Sequence, residues 1–239
     1  MKVLKVLSID WDYFFPDPSW FDWSHNEESS LLYEMVWATR PGTHNLKTGA
    51  RAVNAFVPDR ALLDGFWDRT IVPDHLIFKL VIAESHKTLG EELLKMGLTY
   101  DITNFDQHHD MGYDERPEMD CGNWAKHVLK ACPGSTYRVV YPPWRKGEPE
   151  GSRKVPTSKP RRVAPDILFI CRSSCWTPSW ADEEWLKFTS LALEMDFDKG
   201  TTCKFVTTAR QPDAKTAMTI ADQFEEMCRN MQELNAQAR

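Results

Sequence analysis

The sequence predicts an α/β protein in which helices cover both faces of a mostly parallel sheet, in a three-layer α/β/α arrangement. Short apolar segments rich in Val, Ile and Leu alternate along the chain with amphipathic segments or long connections. This alternation is typical of parallel sheets, whose strands are buried on both faces. A second observation is that acidic residues and histidines directly follow several of the apolar segments. Ligands of α/β proteins bind at that edge of the sheet, beyond the carboxyl ends of the strands.

The strands are predicted from runs of apolar and β-branched residues that are too short for helices. They are residues 3–9, 75–84, 99–106, 136–141, 165–173 and 201–209.

The helices are predicted from apolar residues at helical spacing and from their end signals. They are residues 28–38, 88–97, 122–134, 180–195 and 212–234. Gly97 is the expected stop of the second of these helices, because glycine readily adopts the left-handed conformation that ends a helix.

The chain of 239 residues has the length of one domain, so we expect a single domain over residues 1–239. Two segments interrupt the regular pattern with Pro, Gly and polar residues, at about 16–73 and 144–162. We expect both to be long loop excursions, which in compact domains are often lids or specificity loops.

Composition excludes several classes of protein. The net charge of −6 argues against wholesale wrapping of nucleic acid, so any such contact is expected only through the basic 144–162 segment. No apolar run is long enough to cross a membrane and no secretion signal is apparent, so we expect a cytoplasmic protein without a membrane partner. The six cysteines form no CxxC pair, which predicts reduced thiols rather than a structural zinc or redox motif.

Three predicted strands end in concentrated polar residues. Those that can bind a metal are Asp10, Asp12, Glu84, His86, Asp106, His108, His109 and Asp110. Because the carboxyl ends of parallel strands meet at one edge of the sheet, we expect these side chains to converge.

The alternation of side-chain direction along an extended chain separates stronger from weaker ligand candidates. Residues i, i+2 and i+4 point to the same side of a strand, so Asp106, His108 and Asp110 would share one side. His109 would point away from them, which makes it the weaker ligand candidate.

Converging carboxylates repel one another unless a cation neutralises them. Four aspartates with two imidazoles form a mixed oxygen and nitrogen set, which suits Mn²⁺, Zn²⁺ or Fe²⁺ better than Ca²⁺. We expect no thiolate near these residues. The candidate metal ligands are Asp10, Asp12, His86, Asp106, His108 and Asp110.

Three of these stretches resemble signatures of the arginase/deacetylase superfamily, the ureohydrolase-like α/β proteins. "SIDWDYF" (8–14) is similar to the SxDxD signature, "FDQHHD" (105–110) to the DAHxD signature, and "ESHK" (84–87) to the strand-end histidine. The DxD stretch comes first in this chain and last in arginases, so the resemblance implies an arginase/deacetylase-like fold that is circularly permuted.

The resemblance also implies a binuclear site with two Mn²⁺ ions, or Zn²⁺ or Fe²⁺ in their place. Asp10 and Asp106 would bridge the two ions, with His86 and Asp110 completing one and His108 and Asp12 the other. A metal-bridging hydroxide would then attack the trigonal carbon of a guanidino or amide group. The implied activity is hydrolysis of a non-peptide C–N bond in a small-molecule substrate.

Further roles are predicted from proximity to these motifs. Asp120 or Glu84 is the expected general acid, and Asn123, Ser174 and Trp176 are candidate substrate-binding residues.

Two alternatives stay open at this point. A non-catalytic protein could keep the same metal pocket and bind a ligand or macromolecule. The apolar strand before "DWDYF" (10–14) also fits a haloacid-dehalogenase-type phosphatase with Asp10 as the nucleophile, although that activity would leave His86 and "FDQHHD" without a role.

Overall fold

A computed structural model describes residues 2–16, 40–48, 52–113, 116–145, 156–157, 159–195, 197–206 and 214–237. The chain divides into two compact units. The first unit comprises Met1–Phe14, Asp59–Ser173 and Glu184–Thr208. The second unit comprises Phe15–Pro58, Ser174–Glu183 and Ala209–Arg239.

The first unit is built on a parallel sheet of six strands, as the sequence predicts. The strands are β1 (Leu4–Asp10), β2 (Ile77–Ala83), β3 (Tyr100–Phe105), β4 (Thr136–Val140), β5 (Ile167–Cys171) and β6 (Phe197–Val206). They are ordered β4-β3-β1-β5-β2-β6, and every neighbouring pair is parallel. The α/β class is therefore confirmed.

Four of the five predicted helices are found among the described α-helices, and the four α-helices that precede β2 were not predicted. The described α-helices are α1 (40–48), α2 (Ala52–Ala55), α3 (Arg60–Leu63), α4 (Phe66–Thr70), α5 (Lys87–Met96), α6 (Trp124–Ala131), α7 (Asp182–Leu193) and α8 (Ala214–Gln237). Gly97 ends α5 in the left-handed conformation, as predicted. The helix predicted over 28–38 lies outside the described residues. None of the described helices combines the length and the apolar character that crossing a membrane requires.

The two predicted excursions differ in what the structure describes. The described part of the 16–73 segment contains the helices α1 to α4, although a long loop excursion is expected there from its Pro, Gly and polar residues. Most of the 144–162 segment, including 146–155, lies outside the described residues. Within its described part, Thr157 forms an isolated parallel bridge with Val139 of β4.

Helices pack against both faces of the sheet. On one face, Val6 and Ile102 belong to a buried apolar cluster that also contains Leu89 of α5 and Val128 of α6. On the other face, the ring of Phe105 meets that of Phe66 of α4 at 5.3 Å. Aromatic contacts continue from there to α7, because Phe66 also contacts the ring of Phe188.

Strand order decides which residues meet at the carboxyl edge. β1 lies between β3 and β5, and β5 separates β1 from β2. The ends of these four strands therefore form a continuous stretch of one edge. Asp10 and Cys171 are the last residues of β1 and β5 and are directly paired in register. A buried apolar cluster lies beneath this edge, and water is excluded from that side of it.

Candidate metal centre

The structure brings all six predicted ligands into groups that could hold a cation. One group is His86, Asp106 and Asp110, a second is Asp12, Asp106 and His108, and a third is Asp10, His86 and Cys171. Within each group, one ligand atom from each residue lies within 4.8 Å of the others. We call the first two the His86 group and the His108 group.

His86 directs one ring nitrogen toward three carboxylates. Its Nδ1 atom lies 3.0 Å from Oδ2 of Asp10 and 3.6 Å from Oδ2 of both Asp106 and Asp110. Its Nε2 atom lies 2.8 Å from the hydroxyl oxygen of Ser8. When Nε2 carries the proton and donates it to Ser8, the lone pair of Nδ1 faces three carboxylate oxygens. A cation between them would relieve the repulsion among these atoms.

Aromatic rings fix the plane of the His86 imidazole. The ring of Trp124 lies nearly parallel to it, with centroids 5.5 Å apart, and the ring of Phe169 lies 5.4 Å away. His86 is also 2% exposed. Few other orientations of the side chain are therefore available to it.

The His108 group lies at the start of the turn that follows β3. Nδ1 of His108 is 2.9 Å from Oδ2 of Asp12 and 3.4 Å from Oδ1 of Asp106. The backbone N–H of His108 donates to the same Oδ1 of Asp106 at 2.6 Å. Gln107 orients Asp12, because its side-chain Nε2 donates to the backbone oxygen of Asp12 at 2.7 Å.

Asp106 is the carboxylate common to both groups. Its Oδ1 faces His108 and its Oδ2 faces His86. The Nδ2 amide of Asn104 donates to that Oδ2 at 2.9 Å and so fixes the carboxylate. Asp10, the other residue that the resemblance implies as a bridge, lies on the His86 side. Its Oδ1 accepts a hydrogen bond from the backbone N–H of Asp12 at 2.9 Å.

Asp110 occupies a left-handed backbone conformation, with φ of 50°. This conformation is uncommon outside glycine and is often found at functional sites. The indole N–H of Trp124 donates to its Oδ2 at 2.5 Å, and its backbone oxygen accepts from the N–H of Ala125 at 3.2 Å. The start of α6 thus places the Asp110 carboxylate beside His86.

The aspartates of the cluster have shifted pKa values. Burial and the charge of Asp106 raise the pKa of Asp12, and the same two causes raise that of Asp110 well above its usual range. Burial would also raise the pKa of Asp106, but hydrogen bonding to His108 and the charges of His86 and His108 lower it.

The two histidines respond in opposite ways. Burial lowers the pKa of His86 to about 4. Burial would also lower the pKa of His108, but the carboxylates of Asp12 and Asp106 raise it well above its usual value. Divalent cations bound among the four carboxylates and two imidazoles would lower the pKa values of the carboxyl groups and let every one of them ionise.

His109 belongs to none of the three groups. Its ring stacks on that of Tyr113, with centroids 4.1 Å apart, and its Nδ1 accepts a hydrogen bond from the N–H of Met111. It is 1% exposed. Its weaker ligand character is therefore consistent with its position in the structure.

Sequence reasoning missed several residues of the centre, and for two of them a signal existed. Ser8 and Asn104 are polar residues inside buried strands, each two positions before a predicted ligand, Asp10 or Asp106. The i, i+2 rule places them on the ligand side of the sheet. They are also directly paired in register between β1 and β3.

Cys171 corrects the expectation that no thiolate lies near the site. It joins Asp10 and His86 in the third group and is fully buried. Spacing along the chain does not show that this thiol is close to Asp10. The pairing of β5 with β1 brings the two residues together.

Both predicted general acids have an arginine neighbour. Oε1 of Glu84 lies 3.6 Å from a guanidinium nitrogen of Arg172. Oδ1 of Asp120 accepts the N–H of Gly122 at 3.0 Å, and its Oδ2 lies 3.8 Å from Arg116. Neither carboxylate belongs to the three groups, so their catalytic role stays a prediction.

The predicted substrate-binding residues lie in different units. Asn123 of the first unit uses both ends of its amide within one loop, accepting from the N–H of Asp120 and donating to the oxygen of Glu118. Ser174 and Trp176 belong to the second unit, where the Trp176 ring lies 5.3 Å from the guanidinium carbon of Arg40. Substrate binding by these three residues stays a prediction.

Comparison with known proteins returns no relative for this arrangement. The chain matches no protein-family model, no curated protein and no solved structure. The chemistry of the centre must therefore be inferred from its own residues.

Proposed function

We propose that this protein is a metal-dependent hydrolase that cleaves a non-peptide C–N bond, such as that of a guanidino or amide group, in a small molecule. The observation that carries the proposal is the position of Asp106, with one carboxylate oxygen toward His108 and the other toward His86. A carboxylate between two cation positions is typical of two-metal hydrolytic sites. The resemblance of three motifs to the arginase/deacetylase superfamily supports the same activity and an arginase-like fold.

The His86 and His108 groups would each hold one divalent cation. Their donors are carboxylate oxygens and imidazole nitrogens, which suit Mn²⁺, with Zn²⁺ or Fe²⁺ as alternatives. Cations bound there lower the pKa of water and polarise the substrate, which supplies the nucleophile at neutral pH.

Residues around the ligands keep them in position. Ser8 hydrogen-bonds Nε2 of His86, Asn104 contacts both Asp106 and Asp110, and Trp124 donates to Asp110. Such neighbours commonly contribute about 10- to 100-fold to metal affinity or activity. Their burial also lowers the local dielectric, which strengthens the attraction between the carboxylates and a cation.

The exposure of the ligands indicates where a substrate would approach. The side chain of His108 is 18% exposed, whereas those of Asp10, Asp12, His86, Asp106 and Asp110 are between 1% and 4% exposed. We therefore infer that water and substrate reach the centre from the side of His108.

The proposal is tested on the full chain loaded separately with Mn²⁺ and Zn²⁺. Elemental analysis gives the metal content, and a panel of guanidino compounds and N-acyl amines is screened for release of amine, urea or ammonia. We expect close to two cations per chain and metal-dependent turnover that Asp106→Asn abolishes. Glu92→Gln is the matched control, because Glu92 lies outside all three groups.

Two results would contradict the proposal in different ways. Absence of bound metal under every loading condition would overturn the metal centre itself. Stoichiometric metal without turnover on any compound of the panel would favour the non-catalytic alternative, a metal-binding protein that recognises a ligand.

A further inference from the structure

Cys171 gives one side of the metal centre a donor that the other side lacks. The group of Asp10, His86 and Cys171 offers oxygen, nitrogen and sulfur, whereas the His108 group offers oxygen and nitrogen alone. Thiolates select soft cations such as Zn²⁺, whereas carboxylates suit Mn²⁺ and Mg²⁺. The two sides therefore differ in the cations that they favour.

The fold holds Cys171 toward this site. It ends β5 and is paired with Asp10 of β1 on one side and with Ala83 of β2 on the other. Directly paired residues of parallel strands point to the same face, so the thiol and the Asp10 carboxylate are neighbours.

The same strand also orients His86. Phe169, two residues before Cys171, points to the same face of the sheet and contacts the His86 ring at 5.4 Å. The Nδ1 atom of that ring lies 3.0 Å from Asp10. The imidazole and the Asp10 carboxylate are thus placed together beside Cys171.

The thiol has little access to anything except this site. Cys171 is fully buried, and its sulfur lies 3.5 Å from the backbone oxygen of Glu84, to which the thiol donates. A cation with high affinity for sulfur displaces the thiol proton, and the thiolate then becomes a ligand.

We propose that Cys171 is a metal ligand, and that with Asp10 and His86 it makes the His86 side of the centre selective for a soft divalent cation such as Zn²⁺. The His108 side keeps its preference for a harder cation such as Mn²⁺. Because His86 belongs both to this group and to the His86 group, a soft cation and a hard cation compete for the same imidazole. This inference rests on the metal centre of the proposed function and concerns which cation it selects.

The test uses Co²⁺ as a spectroscopic probe on the full chain. We expect a near-ultraviolet thiolate-to-cobalt charge-transfer band in the wild-type protein, and its loss in Cys171→Ser. Cys132→Ser is the matched control, because Cys132 is another buried cysteine of the same apolar cluster but belongs to none of the three groups. The band should persist in that control.

Competition between cations measures the selectivity itself. In Cys171→Ser we expect the preference for Zn²⁺ over Mn²⁺ to fall about tenfold or more, with little change in Mn²⁺ affinity. X-ray absorption of the Zn²⁺-loaded wild-type protein needs no variant and should give a sulfur neighbour at about 2.3 Å.

The outcomes separate this inference from the proposed function. Cobalt or zinc that binds without a sulfur signal would overturn the role of Cys171 and leave the two-cation hydrolase intact. An unchanged preference for Zn²⁺ in Cys171→Ser would do the same. Absence of any cation binding would overturn both.

Discussion

Two clusters of charged side chains in the first unit differ in how their charge is balanced. In one, Glu92 lies between two lysines, with Nζ of Lys79 2.5 Å and Nζ of Lys204 2.6 Å from its carboxylate oxygens. Burial would raise the pKa of Glu92, but hydrogen bonds and charges from the two lysines lower it to about 2. The negative charge of the Glu92 carboxylate is thus neutralised by lysines of the protein itself.

The candidate metal centre has a different balance. Its four carboxylates are accompanied by two imidazoles. The pKa of His86 is lowered to about 4, so that this ring is neutral at pH 7, and the positive charge of the cluster comes from His108, whose pKa is raised. The pKa values of Asp12 and Asp110 are raised, because each is buried beside Asp106. A buried cluster in which carboxylates outnumber the cationic groups is a candidate site for an external cation, whereas a carboxylate paired with lysines stabilises the fold.

The largest effect on the candidate metal centre is expected for Asp106→Asn. The substitution keeps the shape of the side chain but removes the charge that both cation positions share. We expect Mn²⁺ affinity to fall about 100-fold or more, with loss of both cations, measured by calorimetric titration and elemental analysis.

Glu92→Gln again serves as the control and should bind metal as the wild-type protein does. If Asp106→Asn kept two cations per chain, the carboxylate would not be shared and the two groups would have to be reassigned.

A smaller effect is expected for Asp110→Asn in metal-free protein. The pKa of Asp110 is raised from 3.8, so the native state favours its neutral form. The stability that this preference contributes is present below pH 3.8 and is lost as the pH rises through the native pKa. An asparagine is neutral throughout and tolerates the positive φ, so the variant should be more stable than the wild type at pH 7.

Urea unfolding with a chelator, at several pH values, measures this difference. The advantage of Asp110→Asn should grow from pH 4 to pH 7, and added Mn²⁺ should stabilise the wild-type protein far more than the variant. A variant that is less stable than the wild type at pH 7 without metal would show that the Asp110 charge is compensated within the protein.

The balanced cluster predicts a third and smaller effect with the opposite sign. The pKa of Glu92 is lowered from 4.5 to about 2, so its stabilisation is present above pH 4.5 and is lost as the pH falls through 2. The side chain of Lys204 is 45% exposed, and solvent screens its charge. We therefore expect Glu92→Gln to lose about 1 kcal/mol at pH 7, and less in high salt.

Urea unfolding at pH 7 and at pH 3 checks this expectation, with the difference between variant and wild type shrinking at the lower pH. An equal cost at both pH values would indicate that Glu92 acts through packing rather than through charge.

The strands and four of the helices could be predicted because apolar periodicity records burial on one or both faces. The convergence of the six candidate ligands could be predicted because residues that end parallel strands meet at one edge of the sheet. That they bind a metal stays a prediction. The resemblance and the hydrolytic activity that it implies stay predictions, because no comparison with a known protein tests them.

Two features of the centre could not be predicted from local sequence. The extended conformation assumed for residues 106–110 was wrong, since β3 ends at Phe105 and the chain then turns. The turn is made by local contacts, such as the hydrogen bond from the His108 N–H to Asp106 and the positive φ of Asp110. Cys171 was missed because strand order is set by packing between distant segments.

The smallest effect on metal binding is expected for His109→Gln, which tests whether His109 belongs to the candidate metal ligands. His109 is adjacent in sequence to the ligand His108, but its Nδ1 accepts from the N–H of Met111 and its ring stacks on Tyr113. The variant should keep two cations per chain with affinity within about threefold of wild type, while losing about 1 kcal/mol of stability through the lost stacking. His108→Gln is the matched comparison and should lose the cation of its own group. Equal loss of metal in both variants would extend the cluster to His109. Three imidazoles rather than two would then bind cations together with the carboxylates.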